Sequence, residues 1–204
     1  MLVTESERDK VAAAIAAAEQ TTSGEIVAVI AGASASYVSV APLFAALLAL
    51  LVPWPLIYFT WWPVQWIYLL QLLVFVVAAA IAYYRPVRLA LVPGSIKRER
   101  AHERAVEQFV AQNLYTTKGH TGVLIFLSAA ERYAEIIADP NIYAKLPKGE
   151  WQALVDGLTR RIGEGRAADG LVDTIAAAGK LLATHFPPGS RRLDELPNHL
   201  IVID

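Results

Sequence analysis

From Ile26 to Tyr84 the chain contains no Asp, Glu, Lys or Arg, an uninterrupted run of 59 residues. A helix crosses the roughly 30 Å hydrocarbon core of a bilayer with about 20 residues, so the run is too long for one crossing and suits two. The pattern predicts transmembrane helices over Val38–Tyr58 and Val64–Tyr83. Between them lies Phe59-Thr60-Trp61-Trp62-Pro63, where proline opposes a continuous helix and the tryptophans suit the headgroup layer. Trp54, Tyr58, Trp61, Trp62, Trp66 and Tyr68 cluster near this turn, and Tyr37, Tyr83 and Tyr84 mark the opposite interface. Pro53 and Pro55 remove amide donors near the far end of the first helix and predict a kink there. Those prolines also leave open a re-entrant hairpin that dips into the bilayer without crossing.

All 18 Lys and Arg lie outside the charge-free run, two before it and sixteen after. Basic residues resist translocation, so Arg85, Arg88, Lys97, Arg98, Arg100 and Arg104 directly after the second helix predict that both termini are cytoplasmic. The same residues suit contact with anionic headgroups. The expected location is the cell inner membrane, multi-pass. The expected interface residues are Tyr37, Trp54, Tyr58, Trp61, Trp62, Trp66, Tyr83, Tyr84, Arg85 and Arg88. The start, MLVTESERDK, lacks the basic and apolar regions of a signal peptide, so insertion is expected to rely on the hairpin. The absence of cysteine excludes disulfides and thiolate chemistry.

The flanks read as alternating helices and strands. Thr4-Glu5-Ser6-Glu7 fits a capping box opening a helix to Glu19, with Val11, Ile15 and Ala18 on one face. Glu25–Ile30 has the β-branched content of a buried strand. Ser95–Leu114 reads as an amphipathic helix with Ala101, Ala105, Phe109 and Val110 inward and Arg98, Glu99, Glu103 and Glu107 outward. Strands follow at Val123–Leu127 and Tyr133–Ala138, close enough for an antiparallel hairpin. Two more helices are expected at Lys148–Ile162 and Ala167–His185. The tail Leu193–Asp204, with Leu200-Ile201-Val202-Ile203, suits a further strand, docking on the domain or contact with a neighbour. Residues 1–36 are too few to fold alone, so they belong with residues 85–204, and residues 37–84 form an inserted hairpin. The expected fold is a three-layer α/β/α sandwich carrying a transmembrane insertion.

The segments Thr22–Ile30, Gly122–Leu127 with Glu131–Asp139, and Gly165–Leu171 resemble, in order and spacing, the TPM domain family. The resemblance covers most of the chain outside the hairpin and implies a three-layer α/β domain. It implies a role drawn from two kinds of relative, phosphatases and proteins that assist the repair, assembly or gating of membrane complexes. Many relatives are exported and carry one terminal anchor; the internal hairpin differs.

Metal-assisted hydrolysis needs a carboxylate cluster or an activated nucleophile with oxyanion support. Glu25, Asp139, Asp156 and Asp169 are the candidate carboxylates, although Asp139 before proline also suits a turn and Asp169 a helix start. His102, His120, His185 and His199 have no i,i+4 pair, so no zinc motif is expected. Gly119-His120-Thr121-Gly122 and Gly163-Glu164-Gly165-Arg166 match neither phosphate-binding fingerprint. Ser128 lacks the glycines of a nucleophile elbow and suits a turn. The basic run Lys97–Arg104 is interleaved with Glu99 and Glu103, which opposes nucleic-acid binding. Gln65 and Gln71 are the notable polar residues of the hairpin, and no ionisable residue lines a path through it. The reading reached is an accessory protein holding a TPM-like domain at the cytosolic membrane face, without catalysis or cofactor. Its partners are the lipid bilayer, other membrane proteins and, through Ala45, Ala46, Ala49 and Ala78–Ala80, a second copy of the chain. The alternative is a membrane-tethered phosphatase or other hydrolase using a divalent metal.

Overall fold

The computed structural model describes residues 3–117, 119–146, 148–188 and 199–203, and they form two compact units. The expectations for 193–198 and for Asp204 of the tail lie outside the described residues. One unit comprises residues 1–34 and 98–204; the other comprises residues 35–97.

The first unit is built on a four-stranded mixed sheet in the order β3-β2-β1-β4. Strand β1 (Glu25–Ala31) pairs in parallel with β2 (Gly122–Ser128) on one side and β4 (Leu200–Ile203) on the other. Strand β3 (Tyr133–Ala138) runs antiparallel to β2, with Ser128 opposite Tyr133, as the short connection requires. Every residue of β1 and β2 is buried, whereas edge strand β3 alternates between buried and half-buried. That contrast follows from cover on both faces of the central strands. Three strands were expected; the run at Leu200 adds a fourth, because β1 is apolar on both faces and β4 covers its otherwise open edge.

Against one face, Ile26, Ala28 and Ile30 of β1 join Val123, Ile125 and Leu127 of β2 and pack on three helices: α1 (Glu5–Glu19), α8 (Lys148–Gly163) and α9 (Ala167–His185). Against the other, Val27, Val29, Leu124 and Phe126 meet Ala105 and Phe109 of α6 (Gly94–Ala111) and Leu114 of the 3-10 turn Leu114–Thr116. The expected α6 helix extended to Leu114; it stops at Ala111, and Asn113 adopts the left-handed conformation. Val110, expected inward, is exposed. A short helix α7 (Pro140–Lys145), hidden from periodicity by its six-residue length, follows β3.

Close approach is achieved with glycine at two places. A Cβ on Gly122 would stand 2.5 Å from the Leu114 carbonyl oxygen, and one on Gly179 in α9 would stand 2.7 Å from Ala18 Cβ in α1. Only glycine allows the 3-10 turn to sit over β2 and α1 to lie this close to α9.

The second unit contains α2 (Val40–Leu51), α3 (Pro53–Phe59), α4 (Val64–Tyr83) and α5 (Arg85–Leu91). The first two are one helix interrupted at Val52, whose N–H bonds to Ala49 O, and Pro53 and Pro55 supply no donors to the carbonyls one turn back. Together they give a 20-residue apolar helix, Val40–Phe59, followed by a second at Val64–Tyr83. Both are long and apolar enough to cross a membrane. Thr60 closes the first by bonding through both its N–H and Oγ1 to Leu56 O, and Pro63 caps the second. Ala41, Ala45 and Ala49, spaced four apart on α2, are buried in this pair, so the alanine stripe is used within the chain.

Candidate functional sites

At the edge where β1 and β2 begin, Glu25 stands opposite Gly122 in register, and Asp139 flanks Gly122 from the other side. Both carboxylates are buried. Asp139 accepts the Gly122 N–H through Oδ2 at 2.9 Å, while its own N–H donates to Gly122 O at 3.0 Å. This pair of bonds terminates the β2–β3 ladder. Glu25 and Asp139 are therefore separated by two strand spacings, about 10 Å between backbones.

The other two candidate carboxylates do not join them. Asp156 is exposed on α8 and accepts from Gln152 Nε2 at 2.8 Å, one helical turn away. Asp169 is exposed in the first turn of α9, whose Leu182 lies beside Gly24. The thirteen-residue step from Asp169 to Leu182 puts Asp169 about 20 Å along the helix axis from the Glu25 edge. A divalent ion needs several convergent oxygens. Among the described residues no three of His, Cys, Asp and Glu converge, and one oxygen of Asp139 is already committed to Gly122.

At the opposite edge, where parallel strands of α/β proteins commonly present ligand sites, a second polar group forms. Glu131 accepts the Ser34 N–H with both carboxylate oxygens at 3.0 and 3.2 Å and also takes the Ser128 hydroxyl. Ser34 Oγ lies 2.9 Å from Ser128 Oγ. A serine beside a carboxylate has the pairing of a nucleophile and its base. Here Ser128 is fully buried and its hydroxyl is engaged on both sides. The group locks the end of β1 to the β2–β3 turn. The Ser-x-x-Glu spacing at the strand exit was the available signal, and neither Ser34 nor Glu131 was singled out from the sequence.

A third cluster lies on β3 and α6. His102 Nδ1 is 3.0 Å from each oxygen of Glu135, and Tyr133 donates to the same carboxylate at 3.1 Å. Burial and then the Glu135 charge push the Tyr133 hydroxyl well above its ordinary range; burial also raises Tyr143, whose hydroxyl donates to Ile136 O. Along α6, Arg100–Glu103 and Arg104–Glu107 form exposed i,i+3 pairs. Such pairs contribute little stability and keep the helix surface balanced in charge. His120, His185 and His199 are exposed.

In the helical unit, Trp54, Tyr58, Trp61, Trp62, Trp66, Tyr83 and Tyr84 are all exposed, Trp61 completely, and Arg85 is exposed with them. Leu43, Leu47, Leu50, Leu69, Leu72 and Val76 are also exposed along the helix lengths. Gln65 is exposed and Gln71 half-buried. Two of the expected interface residues are less exposed. Tyr37 is 8% exposed, its backbone held at φ 49°, and Arg88 is half-buried.

Residues 83–181 match the TPM domain family. The solved NMR structure of BA42 protein from the psychrophilic bacterium Bizionia argentinensis is similar in fold, with a TM-score of 0.62, 21% identity, and coverage of 98% of this chain and 94% of that one. No curated protein matches the chain. Just under half of the chain is thus similar to the TPM domain, and the fold as a whole is similar to that of the solved structure.

Proposed function

We propose that this protein is an integral membrane accessory protein whose two apolar helices cross the cell inner membrane as a hairpin. The TPM domain is held at the cytosolic face, both termini are cytoplasmic, and the domain binds or organises other membrane components without catalysis. The observation that carries the reading is the outward presentation of Leu, Ile, Val and aromatic side chains on both 20-residue helices. Soluble proteins rarely expose apolar patches beyond a few hundred Å². Lipid is the solvent that makes such a surface favourable. The tryptophans concentrate at the turn and Tyr83 and Tyr84 at the far end, matching two interfacial belts. The non-catalytic half rests on the use already made of the polar groups, with Asp139 closing a strand pair and Ser128–Glu131–Ser34 locking a strand end.

The chain contains no cysteine, so single-cysteine variants report topology cleanly. Thr60→Cys is expected to react with an impermeant maleimide from outside intact cells, and Ser6→Cys only after the membrane is opened. Labelling of Thr60→Cys solely from the inside, or release of the wild-type protein by alkaline carbonate, overturns the hairpin reading. The alternative of a metal-assisted hydrolase draws on the burial of Glu25 and Asp139 at one sheet edge. Magnesium-dependent phosphate release by the purified full chain, lost in Glu25→Gln, would replace the non-catalytic reading with that one.

A further inference from the structure

A cavity of about 390 Å³ opens within the helical unit, lined by Phe44 and Leu48 of α2, by Leu73, Val77 and Ile81 of α4, and by Val87 of α5, with three further apolar residues and no polar side chain. Its size falls within the range of small-molecule sites, about 300–1,000 Å³. The lining on α4 runs from Leu73 to Ala82, about 14 Å along the helix axis. It exists because Ala78 and Ala82 are small where Phe44 and Leu48 are large. An elongated slot with no hydrogen-bonding group recognises hydrocarbon, since any polar occupant would leave its own groups unpaired.

The chain changes character directly after Val87. Val87 belongs to the slot, and the next residue, Arg88, has its Nε buried with no hydrogen-bond partner among the described residues. A buried guanidinium donor without an acceptor is unfavourable, and its planar fork matches a phosphate better than any other common anion. Tyr83 and Tyr84 lie in sequence between the α4 wall and α5, at the depth where headgroups meet the hydrocarbon. Resting on the membrane reading above, we propose that this slot binds one acyl chain of an anionic phospholipid whose phosphate is held by Arg88.

The test uses the full chain, purified in detergent and analysed by native mass spectrometry with added phosphatidylglycerol or phosphatidylcholine, beside flotation with vesicles of each composition. Phosphatidylglycerol is expected to be retained about fivefold better, the effect of one arginine at an anionic surface. Arg88→Gln should remove that preference while leaving chain retention, and Ala78→Leu, which fills the slot, should reduce retention of both lipids. Circular dichroism verifies that both variants keep their helices. Unchanged lipid retention in folded Ala78→Leu, unchanged preference in folded Arg88→Gln, or a chain dimer in place of bound lipid overturns the proposal. Wild-type protein that floats with vesicles yet shows no preference sinks the lipid site alone, whereas failure to float sinks the membrane reading itself.

Discussion

The four-stranded sheet of the α/β unit and the helical hairpin are both rich in Leu, Ile, Val and Ala, yet they dispose of those residues in opposite ways. In β1 and β2 every side chain is buried between helices, while along α2 to α4 most large apolar side chains face outward and only alanines and Ile67 are buried. A strand leaves backbone groups that a neighbour must satisfy, so an apolar strand forces the rest of the domain to assemble around it. A helix satisfies its own backbone and needs only a solvent of matching polarity. The same composition thus yields a closed core in one unit and an exposed apolar surface in the other, the surface that the proposed hairpin would turn to lipid.

Introducing a charge on each side of this contrast gives the largest expected effect. Leu124→Asp buries a carboxyl at a fully buried position in β2 and removes a packed side chain. The combined cost is expected to reach about 4 kcal/mol or more, comparable to the whole stability of a domain. Loss of the cooperative thermal transition and rapid proteolysis would register it. Leu72→Asp, on an outward position of α4, should leave the melting of the α/β unit within about 0.5 kcal/mol of wild type. It should instead penalise membrane insertion by about 2.5–3.5 kcal/mol, read as a falling integrated fraction in a translocon assay. Insertion of Leu72→Asp at wild-type efficiency would erase the distinction between the two units.

A smaller effect sharpens the account of the closed core. Gly122→Ala places a methyl group 2.5 Å from the Leu114 carbonyl oxygen, which belongs to backbone and has to shift. A destabilisation of about 1–3 kcal/mol is expected from this overpacking, measured by urea denaturation. The loss should appear without any change in membrane integration. A neutral outcome would mean that the 3-10 turn over β2 yields easily and does not hold the sheet edge in place.

The same contrast explains how much was legible in the sequence. The hairpin could be read nearly to the residue at Val64–Tyr83, because the absence of charge and the proline-bounded turn are local properties. Helix α1 and strands β1 to β3 were equally local, being marked by a capping box, β-branched runs and short connections. The place of β4 beside β1 was not legible, since an apolar run of four residues pairs wherever an open edge exists in three dimensions. Tyr37 was read as an interface residue from its position before a helix, and neither its burial nor its left-handed backbone is marked by that position. The polar groups show the same limit. Glu131 and Ser34 are 97 residues apart and meet only because β1 and β2 are adjacent and in register, and the four candidate carboxylates scatter for the corresponding reason.

The smallest effect tests a purely local feature of the domain. Thr4 caps α1 by accepting the Glu7 N–H, and Glu7 accepts both the backbone N–H and the hydroxyl of Thr4 at 2.7 and 2.8 Å. Thr4→Ala removes the cap side chain and should cost about 1 kcal/mol. The bonds from Thr4, the backbone N–H first and then the hydroxyl, hold the Glu7 carboxyl below its ordinary value. A carboxyl lowered in the folded state binds fewer protons there than in the unfolded chain, so its contribution is present above the unfolded value and disappears as pH falls through the folded one. Stability of the wild-type domain should therefore carry an acid-side slope that Thr4→Ala reduces. Because α1 packs on α9 through Ala18 and Gly179, the change should appear in the unfolding of the α/β unit, with insertion of the hairpin unaltered. An acid limb identical in the two proteins would show that the capping box frays in solution and contributes nothing beyond helix initiation.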